Sequence, residues 1–214
     1  MGKIVPLETD NTASEILEAA TARFKQYGYR KTTMAEIAHD CGMSAGNLYR
    51  YFDNKADIGA AVCVCWFATV QSALNETVRS QPSGLHAPEP EPAASIDRYV
   101  RTLMELTLQS CRETPHIQEM IDFLSEERRD ILRNHLRACR DIIAFIIQKG
   151  VDDGGITVPD VDEAAGAVQS ALVRFQYPPL LMLSPQEDLE EDIAPMVRLI
   201  FEGSGTVFWN NFGD

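Results

Sequence analysis

The sequence predicts an all-helical fold of about nine helices, arranged as a small N-terminal head and a larger body. Apolar residues recur at intervals of three and four along most of the chain, and no segment alternates as a half-buried strand would. Residues 33–55 also contain two short capped helices separated by a glycine. With 214 residues and 45% hydrophobic content, the chain can bury one or two cores without disulfides or metal ions.

The first predicted helix covers residues 12–27. Thr12 and Glu15 have the spacing of a capping box, in which a hydroxyl and a carboxylate satisfy two free amides at a helix start. Apolar residues then recur at helical spacing until Gly28, which ends the helix. Residues 1–10 have no such periodicity, and we expect a mobile arm there.

A helix-turn-helix is predicted in residues 33–55. Thr33 and Glu36 repeat the capping-box spacing and start a short helix. Gly42 can adopt the left-handed conformation just past the end of that helix, and Ser44 can cap the helix that follows. Two short helices joined by a tight glycine turn form the unit that inserts its second helix into the major groove of DNA.

The second helix of this pair, residues 45–51, is predicted to read DNA. Leu48 and Phe52 lie four apart and face inward, which turns the other side chains outward. Small residues at the helix start let the backbone approach base edges, while Asn47 can pair with adenine and Arg50 with guanine or a phosphate. The residues predicted to contact DNA are Thr33, Ser44, Ala45, Gly46, Asn47, Tyr49, Arg50, Tyr51 and Lys55.

A known signature closes this region. Residues 48–55 read Leu-Tyr-Arg-Tyr-Phe-Asp-Asn-Lys, which resembles the LYxYFxxK signature at the end of the DNA-binding domain of the TetR family of bacterial transcriptional regulators. The resemblance covers about residues 12–58, and no comparable signature follows. It also includes Phe24, Gly28-Tyr29, Thr32-Thr33, Ile37-Ala38, Cys41-Gly42-Met43-Ser44 and Gly46.

The resemblance implies both a domain organisation and a function. Residues 1–54 would form the DNA-binding domain, and residues 55–214 a helical ligand-binding and dimerisation domain. The implied function is a ligand-responsive transcriptional regulator, a repressor, that binds a pseudo-palindromic operator in double-stranded DNA as a homodimer. A small molecule bound in the body would release it.

The resemblance also assigns roles within the reading helix. It implies that Tyr49 and Lys55 contact phosphates. The sequence departs from the common family pattern at Ala45, where lysine is frequent, and at Asn47, where threonine is frequent. The missing lysine removes one phosphate contact, so we expect a shallower dependence of DNA affinity on salt than in a more basic relative.

The body is predicted to begin with a long helix over residues 55–79. From Ile58 to Val70 it is apolar on nearly every side and must be covered all round, although this stretch is too short to span a bilayer. A proline-rich loop follows at residues 81–94, Pro178-Pro179 stops a later helix, and Pro195 should kink or split the last one. The further predicted helices cover residues 95–111, 115–124, 125–149, 161–177 and 185–202.

Two helices near the C-terminal end are predicted to join two copies of the chain. One seven-residue reading helix buries too little surface for specific affinity, so two heads must bind two half-sites. Small residues in 161–177 allow another helix to pack closely, and residues 185–202 offer a matching apolar side. The resemblance implies that these helices form a four-helix interface, and packing against the chain's own body is the alternative.

Charge and cysteine content bound the possible partners and location. The net charge is −13, but residues 1–60 hold seven Lys and Arg against eight Asp and Glu, so nearly all of the excess acid lies in the body. An acidic body would repel DNA everywhere except at the head. Five cysteines without paired spacing, and no basic N-terminal region followed by a long apolar run, favour a cytoplasmic protein with reduced thiols.

A ligand pocket in the body is predicted from large or polarizable side chains at helical spacing. Each of them is also compatible with an ordinary core position. His135 and Cys139 lie one turn apart on an apolar face. Three interpretations are open for them: a polar contact in the pocket, a buried pair, or two metal ligands. No cofactor or metal site is predicted. The candidate pocket residues are Trp66, Met104, Leu108, Met120, Phe123, His135, Cys139 and Phe175.

Two other classes of protein remain as alternatives. An enzyme has no support, since the sequence contains no nucleophile elbow, phosphate-binding glycine loop or paired metal motif. A helical interaction or sensor protein that has lost DNA binding draws support from the acidic charge and from Ala45. The observation that separates this class from a DNA-binding regulator is whether Tyr49, Arg50 and Lys55 lie together on one exposed face.

Overall fold

The computed structural model describes residues 11–80 and 92–202, and within these ranges all regular secondary structure is α-helical. The all-helical prediction is therefore confirmed. The described residues form eleven helices instead of about nine: α1 (Asn11–Tyr27), α2 (Met34–Asp40), α3 (Ala45–Leu48), α4 (Lys55–Arg79), α5 (Pro92–Glu113), α6 (Ile117–Glu126), α7 (Arg129–Asp152), α8 (Val161–Ala171), α9 (Val173–Gln176), α10 (Pro178–Leu181) and α11 (Gln186–Glu202).

The contacts divide the chain into two compact units. Among the described residues, the first unit contains residues 11–69 and 110–135, and the second contains residues 70–80, 92–109 and 136–202. The predicted boundary after residue 54 falls inside the first unit. Helix α6, residues 55–69 of α4, residues 110–113 of α5 and residues 129–135 of α7 thus group with the helix-turn-helix.

The core of the first unit combines aromatic and aliphatic side chains. Tyr29 packs edge-on against Phe24, with ring centroids 5.3 Å apart, and against Phe123 at 4.8 Å. Gly59 of α4 leaves room for these rings, because a side chain there would lie 2.9 Å from the Tyr29 ring. The remaining buried residues include Ile16, Leu17, Ala20, Ile37, Ala38, Leu48, Phe52, Ile58, Cys63, Phe67, Leu124 and Ile131.

The core of the second unit is almost wholly aliphatic. Its few polar groups are paired, and the hydroxyl of Tyr99 shares a hydrogen bond with the Cys139 thiol. Burial raises the pKa of Cys139 to about 11, which keeps the thiol protonated at neutral pH. The fully buried residues include Leu74, Ile96, Val100, Ile143, Ala165, Leu172, Leu181, Leu189 and Ile193.

Several helix bounds differ from the prediction because turns interrupt the periodic pattern. Helix α6 begins at Ile117, not at Pro115, since the Ile117 amide donates to the Thr114 carbonyl in a tight turn. A second turn at residues 127–128 delays α7 until Arg129. The predicted helix over residues 161–177 is two helices, α8 and α9.

Of the two proline predictions, the first is confirmed, since α9 ends at Gln176 before Pro178-Pro179, and the second is wrong in part. Pro178 opens the short helix α10 at its first position, where the missing amide donor costs nothing. Pro195 lies inside α11, which continues to Glu202 as one helix and is not split. The predicted arm at residues 1–10 and most of the predicted loop, residues 81–91, lie outside the described residues.

Helix α4 covers residues 55–79, as predicted, and is longer than the apolar stretch from Ile58 to Val70 within it. It has 25 residues, and an 18-residue window with mean hydropathy 1.5 gives it the length and composition of a membrane span. The core helix of a soluble protein passes the same test. Ile58 and Phe67 are buried in the core of the first unit, and Val70 and Leu74 in that of the second.

Candidate nucleic-acid interface

The helix-turn-helix predicted from local signals is present. The Thr33 hydroxyl accepts a hydrogen bond from the Glu36 amide, and the Glu36 carboxylate accepts one from the Thr33 amide at 2.8 Å, which completes the capping box. These bonds hold the pKa of Glu36 below its ordinary value. Gly42 has φ +65°, as the turn requires, and the Ser44 hydroxyl accepts from the Asn47 amide at 3.2 Å.

The second helix of the pair is shorter than predicted. Helix α3 ends at Leu48, and tighter turns continue the winding to Phe52, whose amide donates to the Leu48 carbonyl. Leu48 and Phe52 are buried, as the spacing predicted. This inward pair fixes which side of residues 45–51 meets solvent.

The outward side carries two large exposed groups. Tyr49 is 52% exposed, and Arg50 is exposed without an ion pair to any acidic residue of the described chain. Gly46 is also exposed, so backbone is accessible at the start of α3. Arg50 is therefore a free cation next to an amphipathic aromatic ring, a combination that suits a phosphate-lined groove.

The other predicted contact residues are less available. Ala45, Asn47 and Tyr51 are half-buried, and Ala45 and Tyr51 pack against the core of the first unit. The hydroxyls of Thr33 and Ser44 are used in the caps described above. Among the described residues, the side-chain carbonyl oxygen of Asn47 has no hydrogen-bond partner, while its side-chain amide nitrogen lies 3.9 Å from the Met43 sulfur.

Lys55 does not lie on the exposed face with Tyr49 and Arg50. Its ammonium donates to the Tyr29 carbonyl at 2.8 Å and to the Arg30 carbonyl at 3.2 Å, and it lies 4.6 Å from the centre of the Tyr29 ring. Burial lowers the pKa of Lys55, against the opposing effect of nearby carboxylates such as Glu119. Two of the three residues named as the discriminating set thus share a solvent-facing surface, and the third faces the protein.

The loop that receives Lys55 is tightly specified. Gly28 has φ +88°, which only glycine adopts without strain, and its carbonyl accepts from the buried Thr32 hydroxyl at 2.8 Å. The Arg30 amide donates to Glu119 at 2.7 Å. The Arg30 guanidinium bonds to Asp122 at 2.8 Å, so helix α6 fixes this loop from the other side.

These α6 contacts were missed at the sequence level. The local sequence indicates no partner for Arg30, but Arg30 pairs with Asp122, 92 residues away. Lys25 similarly pairs with Glu113 at 2.7 Å. No local pattern in the sequence indicates partners at such separations. The one available signal is that Glu119 and Asp122 lie three residues apart, which places both carboxylates on one face of α6.

The candidate pocket residues belong to both units, and their grouping into one pocket stays a prediction. Trp66, Met120, Phe123 and His135 belong to the first unit, whereas Met104, Leu108, Cys139 and Phe175 lie in the core of the second. His135 stacks on Phe67 with ring centroids 3.8 Å apart, and burial lowers its pKa to about 4. Trp66 is partly exposed and its indole N–H donates to the Ser110 hydroxyl.

His135 belongs to the first unit, and Cys139, one turn later on α7, is buried in the core of the second. Within residues 11–80 and 92–202, no three His, Cys, Asp or Glu side chains are grouped as metal ligands. A cleft of about 440 Å³ does occur in the first unit, between α1 and α4. It contains none of the candidate residues and is lined by Ser14, Leu17, Glu18, Thr21, Ala22, Lys25, Val62 and Cys65.

The second unit exposes apolar side chains near its C-terminal end. Leu183 is 78% exposed, Met182 and Leu199 are each 67% exposed, and Val173 and Tyr177 are exposed to a lesser degree. An ion pair between Arg174 and Asp192 ties α9 to α11 beside them. All five lie within residues 173–199, on or next to helices α9, α10 and α11.

Part of the predicted small-residue stripe is used within the chain. Ala164 and Ala165 are buried in the core, and the Arg140 guanidinium lies 2.9 Å from where a side chain at Gly166 would begin. Arg140 also bonds to the Asp162 carbonyl and carboxylate. The small residues of α8 that remain exposed are Ala167, Ser170 and Ala171.

Comparison with known proteins gives consistent matches over both units. Residues 16–62 match the family described as bacterial regulatory proteins, tetR family, and residues 92–197 match the tetracyclin repressor-like C-terminal domain. Together the two matches cover more than two thirds of the chain. The uncharacterized HTH-type transcriptional regulator YfiR of Bacillus subtilis is 27% identical over 157 residues, which is 71% of each chain.

Solved structures show the same fold at low identity. A TetR-family transcriptional regulator from Mesorhizobium loti superimposes with a TM-score of 0.72 and 18% identity, over 92% of this chain and 98% of that one. The transcriptional regulator FadR from Bacillus subtilis, solved in complex with stearoyl-CoA, gives a TM-score of 0.63 and 17% identity, over 89% of this chain and 98% of that one.

Proposed function

The chain belongs to the TetR family of bacterial transcriptional regulators, and on that premise we propose that it is a ligand-responsive repressor that binds a pseudo-palindromic operator as a homodimer. The observation that carries the proposal is the exposed pair Tyr49 and Arg50 on a reading helix whose opposite face is buried. A solvent-facing arginine without an acidic partner is available to DNA at no cost in lost ion pairs.

Each exposed group of the reading helix has a proposed role. Arg50 contacts guanine or a phosphate, and Tyr49 contacts a phosphate through its hydroxyl. Gly46 and Ala45 let the backbone approach the base edges, and Asn47 pairs with adenine. Thr33 and Ser44 contribute by capping α2 and α3, and Tyr51 lies at the rim of the DNA-contacting surface.

Dimerisation supplies the second half of the site. We propose that α8 and α11 form the interface with a second copy, because the exposed apolar residues Val173, Tyr177 and Leu199 lie on or beside these helices. Burying them against a second copy removes apolar surface from water at about 25 cal/mol per Å². Two heads then bind two half-sites of the operator.

Ligand control acts through the loop at residues 28–32 in this proposal. Glu119, Asp122 and Phe123 on α6 contact consecutive residues of that loop, which leads directly into the helix-turn-helix. A ligand that binds better to one position of α6 than to another shifts the head accordingly. The ligand is a small molecule, and its site stays a prediction.

The proposed DNA target also implies a location. Members of this family are bacterial DNA-binding regulators, so we infer that the chain works in the cytoplasm. Reduced thiols are consistent with that inference, since all five cysteines are free and burial raises the pKa of Cys63 to about 12. We infer that the chain has no enzymatic activity.

Binding of genomic DNA tests the proposal. Fragments selected on the purified protein are expected to share an inverted repeat, and the shortest fragment then serves as the operator in fluorescence anisotropy titrations. Tyr49→Ala and Arg50→Ala should each weaken operator binding about tenfold or more, because each removes a phosphate or base contact from both heads.

A matched control is available in the same unit. Tyr27→Ala removes another exposed tyrosine, on α1 and outside the reading helix, and should leave operator affinity unchanged. If the parent protein enriches no fragment, the alternative of an interaction protein without DNA binding gains support. Normal binding by both the Tyr49 and Arg50 variants would contradict the assigned reading surface.

A further inference from the structure

We propose that Lys55 acts in operator recognition as a positioning residue for the reading helix, and not as a phosphate contact. This inference rests on the proposed function, since it concerns how the same surface recognises DNA. It departs from the role that the signature implies for this lysine. The inference is based on the contacts of the Lys55 ammonium group and on where the contacted residues lie in the chain.

The ammonium group is already occupied within the protein. An ammonium has three N–H donors, and Lys55 uses two of them on the Tyr29 and Arg30 carbonyls, at 2.8 and 3.2 Å. The Tyr29 ring lies 4.6 Å away on another side, in a cation–π contact. A phosphate would have to compete with these partners, whereas Arg50 has no acidic partner among the described residues.

The carbonyls that receive Lys55 are themselves fixed. The Tyr29 ring is buried between Phe24 and Phe123. On the next residue, the Arg30 amide donates to the Glu119 carboxylate. Lys55 therefore binds a rigid acceptor pair rather than a loop that could follow it toward DNA.

Lys55 and the carbonyls that it binds lie on either side of the helix-turn-helix in the chain. Residues 29–30 lie just before the Thr33 cap that starts α2, and Lys55 is the first residue of α4. The chain between them contains α2, the Gly42 turn and α3. By joining the ends of this segment, the Lys55 contacts fix the path of α3 between two anchored points.

A positioning role and a phosphate-contact role for Lys55 make different predictions for the binding of specific and non-specific DNA. Affinity for an unrelated duplex depends on the number of phosphates neutralised, and so does the salt dependence. Affinity for the operator also depends on placing the reading helix against the base edges. A positioning residue therefore changes the ratio of the two affinities without changing the salt dependence.

Two substitutions separate these roles. Lys55→Met removes the charge and keeps the length of the side chain. Lys55→Arg keeps the charge, but a planar guanidinium cannot reproduce the geometry of one ammonium between two carbonyls and a ring. The parent and both variants are titrated with the operator and with a scrambled duplex of equal length, over a series of salt concentrations, at a temperature where circular dichroism shows all three folded.

Both variants are expected to lose about tenfold in operator affinity, with scrambled-duplex affinity and salt dependence unchanged. A phosphate contact would instead make Lys55→Met weaken both duplexes and reduce the salt slope by about 0.9 per head, while Lys55→Arg binds as the parent does. That result overturns the inference. Unchanged affinity of both variants for both duplexes, with only a lower thermal midpoint, also overturns it.

A measurement on the parent protein covers the case in which a variant fails to fold. Lysine acetylation followed by mass spectrometry should find Lys55 equally protected in the free protein and in the operator complex. Strong additional protection of Lys55 by DNA would overturn the inference. Failure of the parent to bind any genomic fragment would instead contradict the proposed function, so the two failures are distinguishable.

Discussion

The two units differ in how their exposed surfaces are built. In the first unit, short helices hold their functional side chains with directional bonds: the Thr33 and Ser44 caps fix α2 and α3, and Lys55 fixes the loop before them. In the second unit, an aliphatic core supports helices whose outer faces carry exposed apolar residues such as Leu183 and Leu199.

This difference separates two kinds of recognition. A polyanion with ordered base edges needs donors in fixed places, which capped helices and a bonded loop provide. A second copy of the chain needs apolar area and tolerates variation in detail, because the hydrophobic effect is non-directional. The comparison can be tested by substitutions that act on one unit, with matched controls in the other.

The largest effect is expected at the apolar surface of the second unit. Leu199→Glu places a charge where we propose that a second copy packs, and burying an unpaired carboxylate is strongly unfavourable. Light scattering should give about twice the 23.8 kDa chain mass for the parent and the chain mass itself for the variant. Val64→Glu, at an exposed residue of the first unit, should leave the mass unchanged; a monomeric parent would contradict the proposed dimer.

Removing buried leucines should affect both units to a similar extent. Leu48 and Leu74 are both fully buried, one in each core. Replacing either with alanine should lower the free energy of unfolding by about 2–5 kcal/mol, measured by urea denaturation. Hydrogen exchange should then increase within residues 33–55 for Leu48→Ala but not for Leu74→Ala. The reverse pattern would contradict the division into two cores.

Acid should destabilise the first unit through His135. Burial lowers its pKa to about 4, so between that value and the ordinary value of about 6.5 the unfolded chain binds the proton and the folded chain does not. Stability therefore falls as the pH decreases through this window, by about 2 kcal/mol at pH 5 relative to pH 7.5.

The matched variant is His135→Phe, which retains an aromatic ring on Phe67 and cannot be protonated. Urea denaturation at pH 7.5 and at pH 5 should give a smaller loss for this variant than for the parent. Equal losses in the two proteins would mean that His135 is not the group responsible.

The smallest effect is expected at the Thr33 cap. Thr33→Ala removes the acceptor for the Glu36 amide and should cost about 1 kcal/mol, whereas Thr33→Ser keeps the hydroxyl and should cost less. The pKa of Glu36 is lowered in the folded state, so this carboxylate stabilises the fold above its ordinary pKa and ceases to do so as the pH falls through the folded value. An NMR titration of Glu36 in Thr33→Ala should give a higher pKa than in the parent.

The features predicted correctly from sequence depend on neighbours in the chain. Thr33 and Glu36 are three residues apart, Ser44 and Asn47 likewise, and Leu48 and Phe52 four apart, so each pattern contains both partners of its interaction. Local chemistry was sufficient for the caps, the turn and the inward face of the reading helix.

The features that were missed depend on distant partners. Lys55 binds carbonyls 25 and 26 residues away, and Arg30 binds acids on α6 about 90 residues away. Helical periodicity identified buried positions such as Phe123 and Phe175, but it carries no information about which core a buried side chain joins. The grouping of the pocket candidates therefore stays a prediction.

Helix α4 also affects how the protein behaves once it is unfolded. In the folded chain its apolar residues are divided between two cores, but an unfolded chain presents an 18-residue segment with at most two charged residues to its neighbours. Such segments drive aggregation, which the net charge of −13 opposes through repulsion between chains. The yield of refolding should therefore fall as protein concentration or salt increases, since salt screens that repulsion.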